Sequence, residues 1–169
     1  MWPEQIHKEL SAAGVRMVGY VPDAGHKRLI ELCQADRKMR AVVLSTEEEG
    51  IGLAAGAWLG GQKSVLLMQS SGVGNVVNVL GMVRECRFPL VTLVTMRGEQ
   101  GEFNPWQVPM GSITAEVLTL CGFQTYRIDQ ESEVEATVDE ACRMAFGGGS
   151  FQVAVLFSQN MVDRNKTEH

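Results

Sequence analysis

Short apolar runs alternate with longer segments of helical periodicity along the whole chain. The runs are rich in β-branched residues and predict strands at 15–21, 40–45, 64–69, 89–96, 123–128 and 151–157. The segments between them predict helices at 23–36, 47–60, 74–86, 111–121 and 131–146. Because the strands are too continuously apolar to have a face in water, they indicate a parallel sheet with helices on both sides. The predicted fold class is therefore α/β, a three-layer α/β/α arrangement with about six parallel strands.

Length and charge indicate one domain and limit its partners. The chain has 169 residues, enough for a sizeable core, and no linker, repeat or low-complexity segment divides residues 1–169. The polar tail from about residue 160 is expected to fray. A net charge of −5 argues against a nucleic-acid partner. No apolar run approaches the length of a membrane span, and the start "MWPEQIHKEL" lacks the order of a signal peptide, so no membrane partner is expected.

Cysteine and histidine usage favours a cytoplasmic protein without a histidine-based metal site. The four cysteines lie far apart with no C-x-x-C spacing and are expected to be reduced thiols: Cys33, Cys86, Cys121 and Cys142. Of the three histidines, His169 is the last residue and His7 belongs to a polar first helix. That leaves too few histidines in one place to ligate a metal.

Four segments follow the first four predicted strands and are candidates for a ligand site. They are "PDAGH" (22–26), "STEEEG" (45–50), "QSSGVGN" (69–75) and "RGEQGEFNPWQVPMG" (97–111). In open parallel sheets, ligands bind at the carboxyl ends of the strands. The last segment is also longer than the usual connection in such folds. We therefore expect a site where these segments meet.

The three consecutive acids at 47–49 allow two interpretations. Ser45 or Thr46 is a good N-cap, and Glu48 or Glu49 then completes a capping box. However, no side chain from 51 to 59 is charged or strongly polar, so no face of this helix expects water. A carboxyl group at the edge of such an apolar helix is a candidate for proton chemistry. The periodicity alone does not separate Glu47 from Glu48.

The glycine-rich segment after the third strand also allows two interpretations. Gly72 and Gly74 flank Val73, and Asn75 is predicted to open a helix, so the backbone could approach a ligand at free N–H groups. A tight strand-to-helix turn explains the same glycines. The dinucleotide fingerprint G-x-G-x-x-G does not fit, because position 77 is valine. A flavodoxin-like module that binds a nucleotide here, without catalysis, stays an alternative.

Several of these segments together resemble a known family. They are "YVPD" (20–23), "EEEGIGLAAGAWLGG" (47–61), "LMQSSGVGNVVNVL" (67–80) and "MRGEQGEFNPWQVPMG" (96–111). In order and spacing they are similar to the pyrimidine-binding domain of thiamine-diphosphate-dependent 2-oxoacid decarboxylases, above all those that act on sulfopyruvate and phosphonopyruvate. The resemblance implies the thiamine-diphosphate-binding fold and that cofactor.

The resemblance also assigns residues to the cofactor. The family's essential glutamate lies nine positions before the glycine of "LAAG", which is Gly56 here, and so corresponds to Glu47. In the family this carboxyl group hydrogen-bonds to a nitrogen of the cofactor's aminopyrimidine ring and promotes its activation. The resemblance places the segment Gly72, Val73, Gly74 and Asn75 at the cofactor as well.

A diphosphate site is missing from the sequence. Family members hold the diphosphate through Mg²⁺ with a G-D-G motif, and no "GDG" occurs here. The resemblance therefore implies a separate beta subunit that carries the diphosphate-binding domain and most of the Mg²⁺ ligands. The expected assembly is α2β2 or larger, with contacts through the apolar segment at 76–83.

The substrates that the resemblance implies are small anionic 2-oxoacids, decarboxylated to CO2 and an aldehyde. A carboligase with the same cofactor is the alternative outcome. Arg97 is the preferred anion-binding residue, unless it pairs with Glu99 or Glu102. His26 is a candidate catalytic residue that titrates near neutrality or donates to an oxyanion, unless it is a solvated first-turn histidine. Further candidates for the substrate pocket are Pro22, Asp23, Lys27, Gln69, Ser70, Ser71 and Gln107, with Phe103 and Trp106 as a lid.

Overall fold

The computed structural model describes residues 1–148 and 151–166 and contains one six-stranded sheet. Every strand pair in it is parallel, and the strand order is β2-β1-β3-β4-β6-β5. The strands are β1 (Val15–Tyr20), β2 (Arg40–Val43), β3 (Lys63–Gln69), β4 (Leu90–Thr95), β5 (Gln124–Ile128) and β6 (Gln152–Phe157). The predicted parallel sheet of six strands is confirmed.

Helices cover both faces of this sheet. They are α1 (Trp2–Ala12), α2 (Lys27–Ala35), α3 (Glu47–Leu59), α4 (Ser70–Val76), α5 (Leu80–Cys86), α6 (Val108–Leu120), α7 (Val134–Phe146) and α8 (Gln159–Lys166). Two 3₁₀ turns, Pro105–Gln107 and Glu131–Glu133, precede α6 and α7. The three-layer prediction is confirmed.

Two apolar cores explain why the strands are apolar on both faces. In β3, Val65 and Leu67 point into a core with α1, α2 and α7, whereas Leu66 and Met68 point into a core with α3, α4, α5 and α6. Successive strand residues face opposite sides of a sheet, so a strand that is covered on both sides is apolar at most positions on both faces.

The glycine-rich segment is helical, which corrects the prediction of a loop followed by one helix at 74–86. Helix α4 begins at Ser70 directly after β3 and ends at Val76, and α5 starts at Leu80. Serine and glycine are weak helix formers, so local propensity favoured a turn. Packing of α4 against α3 and α6 overrides that propensity.

The carboxyl-terminal segment contains a helix that the sequence analysis did not predict. Residues 159–166 form α8, and Met161 and Val162 from it are buried in the core below α1 and α7. The expected fraying of the tail stays a prediction. Residues 167–169 lie outside the described part of the chain.

The sheet order brings the candidate segments together. Strands β1, β3 and β4 are adjacent and parallel, so their carboxyl ends lie side by side at one edge. Residues 21–26, the start of α4 and residues 96–107 follow these three ends. Helix α3, which follows β2, packs on α4 at the same edge.

Candidate active site

Glu47 is the first residue of α3, and its side chain is turned into the protein. Thr46 is the N-cap, and only 6% of the Glu47 surface is exposed. The start of a helix favours an acid, because the free N–H groups and the helix dipole carry positive potential there. Ile51 and Ala54, on the same side of α3, are buried behind it. The carboxylate thus sits at the dry edge of an apolar helix.

Helix α4 contacts this carboxylate at two residues. Asn75 Nδ2 donates to Glu47 Oε2 at 2.9 Å. Gly72 lies directly against the carboxylate, since a Cβ built on it would stand 2.3 Å from Oε1. A side chain at position 72 would displace the Glu47 carboxylate, so it is this contact, and not the turn that the sequence suggested, that favours glycine here.

The structure separates the three acids at the start of α3. Glu48 and Glu49 are exposed, and Glu49 Oε2 accepts the backbone N–H of Ser45 at 2.7 Å. Glu49 is thus the capping acid. Glu47 is the acid held beside α4.

Asp23 ties two of the candidate segments to the end of β4. Its Oδ1 accepts from Gln69 Nε2 at 3.0 Å, and its Oδ2 accepts from Thr95 Oγ1 at 2.7 Å. Ser71 Oγ donates to Gln69 Oε1 at 2.8 Å. Burial raises the pKa of Asp23, but the attraction of His26 and the hydrogen bonds from Thr95 and Gln69 outweigh it, and the pKa lies below its usual value. The sequence analysis did not identify Thr95 as a site residue, because its pattern does not distinguish this threonine from the rest of the buried strand.

Pro22, Asp23 and Lys27 share one open cavity at this edge. Its volume is about 470 Å³, and its other lining residues include Tyr20, Ile30 and Gln34. Lys27 is exposed. Three of the predicted substrate-pocket residues are thus brought together.

His26 is fully buried, so the alternative of a solvated first-turn histidine is wrong. Its Nε2 lies 3.0 Å from the carbonyl oxygen of Leu93, and its ring stands edge-on to Phe157. Burial lowers the pKa of His26 below 6.5, although the Asp23 carboxylate opposes this effect. Titration near neutrality is therefore not supported. The catalytic role of His26 stays a prediction, and the ring has no exposed surface from which to touch a substrate.

Arg97 forms the ion pair with Glu102 that the sequence left open. Its Nε donates to Glu102 Oε2 at 2.6 Å and its Nη2 to Oε1 at 2.5 Å, while Glu99 pairs with Arg127 instead. The hydrogen bond from Arg97 is the main reason why the pKa of Glu102 lies far below its usual value, and the same pair raises the pKa of Arg97. Because its charge is balanced within the chain, Arg97 is a weak candidate for binding an anion.

Ser70 makes its hydrogen bonds to the backbone of Arg97, at the start of the long loop after β4, and does not face an open pocket. Its hydroxyl accepts the backbone N–H of Arg97 at 3.0 Å and lies 3.3 Å from the Arg97 carbonyl oxygen. The side chain is fully buried. The substrate role predicted for Ser70 therefore finds no support in its position, whereas Gln69 and Ser71 lie beside Asp23.

The long loop after β4 is fixed at its base and exposes its aromatic residues. The Glu102 side chain is 1% exposed and accepts hydrogen bonds from the backbone N–H groups of Gly98 and Asn104 and from the Arg97 guanidinium. Phe103 and Trp106 are 82% and 71% exposed. Arg97 Cζ lies 5.6 Å from the centre of the Phe103 ring, and the lid formed by Phe103 and Trp106 stays a prediction. Gln107, at the end of the 3₁₀ turn, is half-buried.

The residues around Glu47 fit the pyrimidine end of a thiamine cofactor. None of the described residues donates a hydrogen bond to Glu47 Oε1, and the carboxylate packs directly against Gly72. Oε1 is thus an acceptor without a donor, which is what a protonated nitrogen of the aminopyrimidine ring needs as its hydrogen-bond partner. The fit does not extend to the metal: within residues 1–148 and 151–166, no three His, Cys, Asp or Glu side chains are grouped so that they could hold an ion.

Comparison with known proteins decides the family. A family model described as "Thiamine pyrophosphate enzyme, N-terminal TPP binding domain" matches residues 3–107. The chain belongs to this family. Thiamine pyrophosphate is another name for thiamine diphosphate, so the resemblance and the cofactor that the sequence predicted are confirmed. The match extends from α1 to the end of the long loop and includes Glu47 and Asn75.

Individual relatives within this family cover most of the chain. The sulfopyruvate decarboxylase subunit alpha of Methanococcus maripaludis is 31% identical over 90% of this chain and 92% of its own length. That of Methanothermobacter thermautotrophicus is 37% identical over 69% of this chain and 72% of its own. A phosphonopyruvate decarboxylase of Streptomyces viridochromogenes is 33% identical over 90% of this chain, but the chain spans only 39% of that protein.

A solved structure shows the same fold in a larger enzyme. The 2-oxoglutarate:ferredoxin oxidoreductase of Magnetococcus marinus superposes with a TM-score of 0.73 at 12% identity, over 94% of this chain and 29% of that one. At this identity the likeness concerns the fold alone. Separately, a search of the described residues for helices that are long and apolar enough to cross a membrane found none.

Proposed function

We propose that this chain is the pyrimidine-binding alpha subunit of a two-chain thiamine-diphosphate-dependent 2-oxoacid decarboxylase, which converts sulfopyruvate to sulfoacetaldehyde and CO2. The observation that carries the proposal is the Glu47 carboxylate, buried at the start of α3 with one oxygen bound by Asn75 and the other available. Because the chain belongs to the thiamine-diphosphate family, thiamine diphosphate is the ligand that we propose for this carboxylate.

The residues of this chain would orient the cofactor and control a proton. When bound, thiamine diphosphate supplies the group that takes up the electrons left behind by CO2. Glu47 Oε1 would hold the aminopyrimidine nitrogen through a shared proton, and the apolar side of α3 would keep water from competing for that proton. Asp23 and Gln69 hold the neighbouring segments in place through their hydrogen bond.

The surface of the helical layer formed by α3, α4, α5 and α6 is suited to binding a partner chain. Among the described residues, no ion pair involves a side chain of α3, α4, α5 or α6, whereas α1, α2 and α7 carry several, such as Lys8–Glu135 and Arg28–Glu4. Large apolar side chains are exposed on the layer without ion pairs: Trp58, Leu59, Val77, Val108, Ile113 and Leu120. An exposed apolar patch of this kind is typical of a protein interface.

The predicted contact segment at 76–83 is only part of this surface. Val77 and Gly81 are exposed, but Leu80 and Val83 are core residues. We therefore extend the proposed interface to the outer sides of α3 and α6. There a beta subunit with the diphosphate-binding domain, and a second copy of each chain in an α2β2 or larger assembly, would cover the apolar residues.

Sulfopyruvate is the substrate that we propose first, because three of the relatives are called sulfopyruvate decarboxylase subunit alpha. Phosphonopyruvate is the alternative, because two phosphonopyruvate decarboxylases also match 90% of the chain. The substrate candidates that face open space are Pro22, Asp23, Lys27, Gln69, Ser71 and Gln107. Lys27 is the cation among them that lines the cavity, and Arg97 is a weaker candidate because Glu102 balances its charge.

The test is an assay of the assembled enzyme. This chain is co-expressed with a chain that carries a diphosphate-binding domain, purified with thiamine diphosphate and Mg²⁺, and given sulfopyruvate, phosphonopyruvate or pyruvate. We expect CO2 and aldehyde, fastest from sulfopyruvate. A hydroxyketone product would indicate a carboligase, and a complex that forms but releases no CO2 from any of the three acids would contradict the proposal.

A further inference from the structure

Asn75 contacts the proposed catalytic carboxylate directly. The sequence placed Asn75 at the cofactor, but its amide Nδ2 donates to Glu47 Oε2 at 2.9 Å. The two residues lie 28 positions apart and on different helices, α4 and α3. We propose that Asn75 is a positioning residue, which fixes the Glu47 carboxylate through Oε2 and leaves Oε1 for the aminopyrimidine nitrogen. This inference rests on the proposed function of Glu47.

The two carboxylate oxygens have different surroundings. Oε2 is bound by the Asn75 amide, whereas no described residue donates to Oε1. Oε1 instead lies against Gly72, where a Cβ would stand only 2.3 Å away. Gly72 and Asn75 are three residues apart in α4 and therefore lie on the same side of that helix. One side of α4 thus contacts both oxygens, but it donates a hydrogen bond only to Oε2.

An amide suits this task better than a charged side chain. A lysine or arginine at position 75 would form an ion pair with Glu47 and favour its fully ionised form, which weakens proton sharing with a ligand. The Asn75 amide donates without adding a charge. It restrains the rotation of a carboxyl group that is 6% exposed and that has no other hydrogen bond to the described residues.

The isosteric substitution Asn75→Asp gives a result that a purely structural role would not give. At neutral pH two carboxylates would face each other and repel, so Glu47 would lose its orientation. At lower pH the pair would retain a shared proton, and a protonated Asp at 75 would donate as the amide does. The exposed Asn78, one turn further on, makes no hydrogen bond to Glu47, and Asn78→Asp adds the same charge to the same surface.

We expect the assembled Asn75→Asp enzyme to lose about tenfold to a hundredfold in kcat at pH 7, the equivalent of one hydrogen bond to a charged group. Its kcat relative to the unsubstituted enzyme should recover as the pH falls from 7 towards 5. Because Asn78 lies in the proposed interface segment 76–83, Asn78→Asp is compared by the shape of its pH profile and not by its absolute kcat, and that shape should match the unsubstituted enzyme. A loss in Asn75→Asp that is the same at every pH, or a profile shared with Asn78→Asp, would overturn the proposal.

A second measurement does not depend on activity. In ¹⁵N–¹H spectra of the full chain, the side-chain amide signal of Asn75 is identified by its disappearance in Asn75→Asp. Glu47→Gln should shift this signal, because the acceptor changes from a carboxylate to an amide, and should leave the Asn78 signal in place. If the chemical shift of the Asn75 amide does not change in Glu47→Gln, the result would contradict the positioning role. If the assembled enzyme releases no CO2, the proposed function fails, while the spectra still decide whether Asn75 holds Glu47.

Discussion

The carboxylate of Glu47 lies directly against Gly72. A methyl group on Gly72 would stand 2.3 Å from Oε1 and 2.6 Å from Cδ of Glu47, well inside van der Waals contact. Gly72 has no positive φ and sits within a helix, so conformational freedom does not explain the glycine. Instead, the Glu47 carboxylate occupies the space that a side chain at position 72 would need.

Gly72→Ala should therefore reduce activity far more than stability. The contact is with the far end of a flexible side chain, so Glu47 can move aside, and alanine is favoured over glycine in a helix by about 0.5–1 kcal/mol. We expect the unfolding free energy to change by less than about 1 kcal/mol while kcat of the assembled enzyme falls at least tenfold. Urea unfolding and CO2 release measure the two effects.

Gly81→Ala is the matched control, because α5 offers open space around this glycine. It should affect neither quantity by more than a small amount. An alanine at 72 that leaves kcat unchanged would show that the carboxylate position has no importance for turnover.

Glu47→Gln should reduce turnover and leave assembly intact, whereas Glu49→Gln should reduce stability and leave turnover nearly unchanged. Glu47→Gln keeps the shape of the side chain and removes its ability to exchange a proton, so turnover should fall by orders of magnitude while assembly is retained. Glu49 accepts the Ser45 N–H, so Glu49→Gln should cost roughly 1 kcal/mol of stability and little activity. Kinetics and thermal unfolding of both variants decide this, and near-normal turnover of Glu47→Gln would remove Glu47 from its role.

Glu102→Gln should destabilise the chain in a pH-dependent way. The pKa of Glu102 is held below its usual value of 4.5, mainly by the hydrogen bond from Arg97. A depressed pKa in the folded state means that the stabilisation is present above pH 4.5 and is lost as the pH falls further. We expect a loss of roughly 1.5–3 kcal/mol at pH 7, the worth of hydrogen bonds to a charged group.

The difference between Glu102→Gln and the unsubstituted chain should shrink in unfolding experiments below about pH 4.5. Glu85→Gln, an exposed acid on α5, should show no comparable difference at either pH. A Glu102→Gln chain as stable as the original at pH 7 would mean that the ion pair with Arg97 contributes nothing to the loop.

His26 should make the chain sensitive to mild acid. Burial lowers the pKa of His26 in the folded state below 6.5, so the unfolded chain binds a proton more readily. The unfolding free energy should then fall as the pH drops below 6.5, by up to about 1.4 kcal/mol per pH unit. Asp23 is the charged neighbour that opposes this effect, since its negative charge favours the protonated imidazole.

His26→Gln removes the titrating ring and keeps an amide donor. The variant should be less stable than the unsubstituted chain at pH 8, and the gap between the two should close between pH 7 and pH 5. Parallel stability curves for the two proteins across this range would show that His26 does not bind a proton on unfolding.

The layered fold was predictable because burial on both faces leaves a strong mark on the sequence. Strand β4 has no alternation of apolar and polar residues, which favours a strand that is buried on both faces. The pattern therefore predicted that the carboxyl ends of the parallel strands share one edge, whereas the order β1-β3-β4 is known from the structure alone. The pattern also placed the three acids 47–49 at a helix start, but the resemblance to the family was needed to select Glu47.

The partners within the site were less predictable, because they depend on contacts between distant segments. Glu99 and Glu102 are both close to Arg97 in sequence, and only the fold of the loop chooses Glu102. Helix α4 was missed because serine and glycine favour turns locally. The burial of His26 was missed because a polar residue before a helix is usually solvated.

Binding of thiamine diphosphate tests the central claim most directly, since the claim is that this chain provides the pyrimidine half of a shared site. Calorimetric titration with Mg²⁺ present compares the chain alone with the chain bound to a diphosphate-binding partner. The account predicts weak, unsaturated binding by the chain alone and tight, stoichiometric binding by the complex. Tight Mg²⁺-dependent binding by the chain alone, or an equal affinity in both samples, would contradict it.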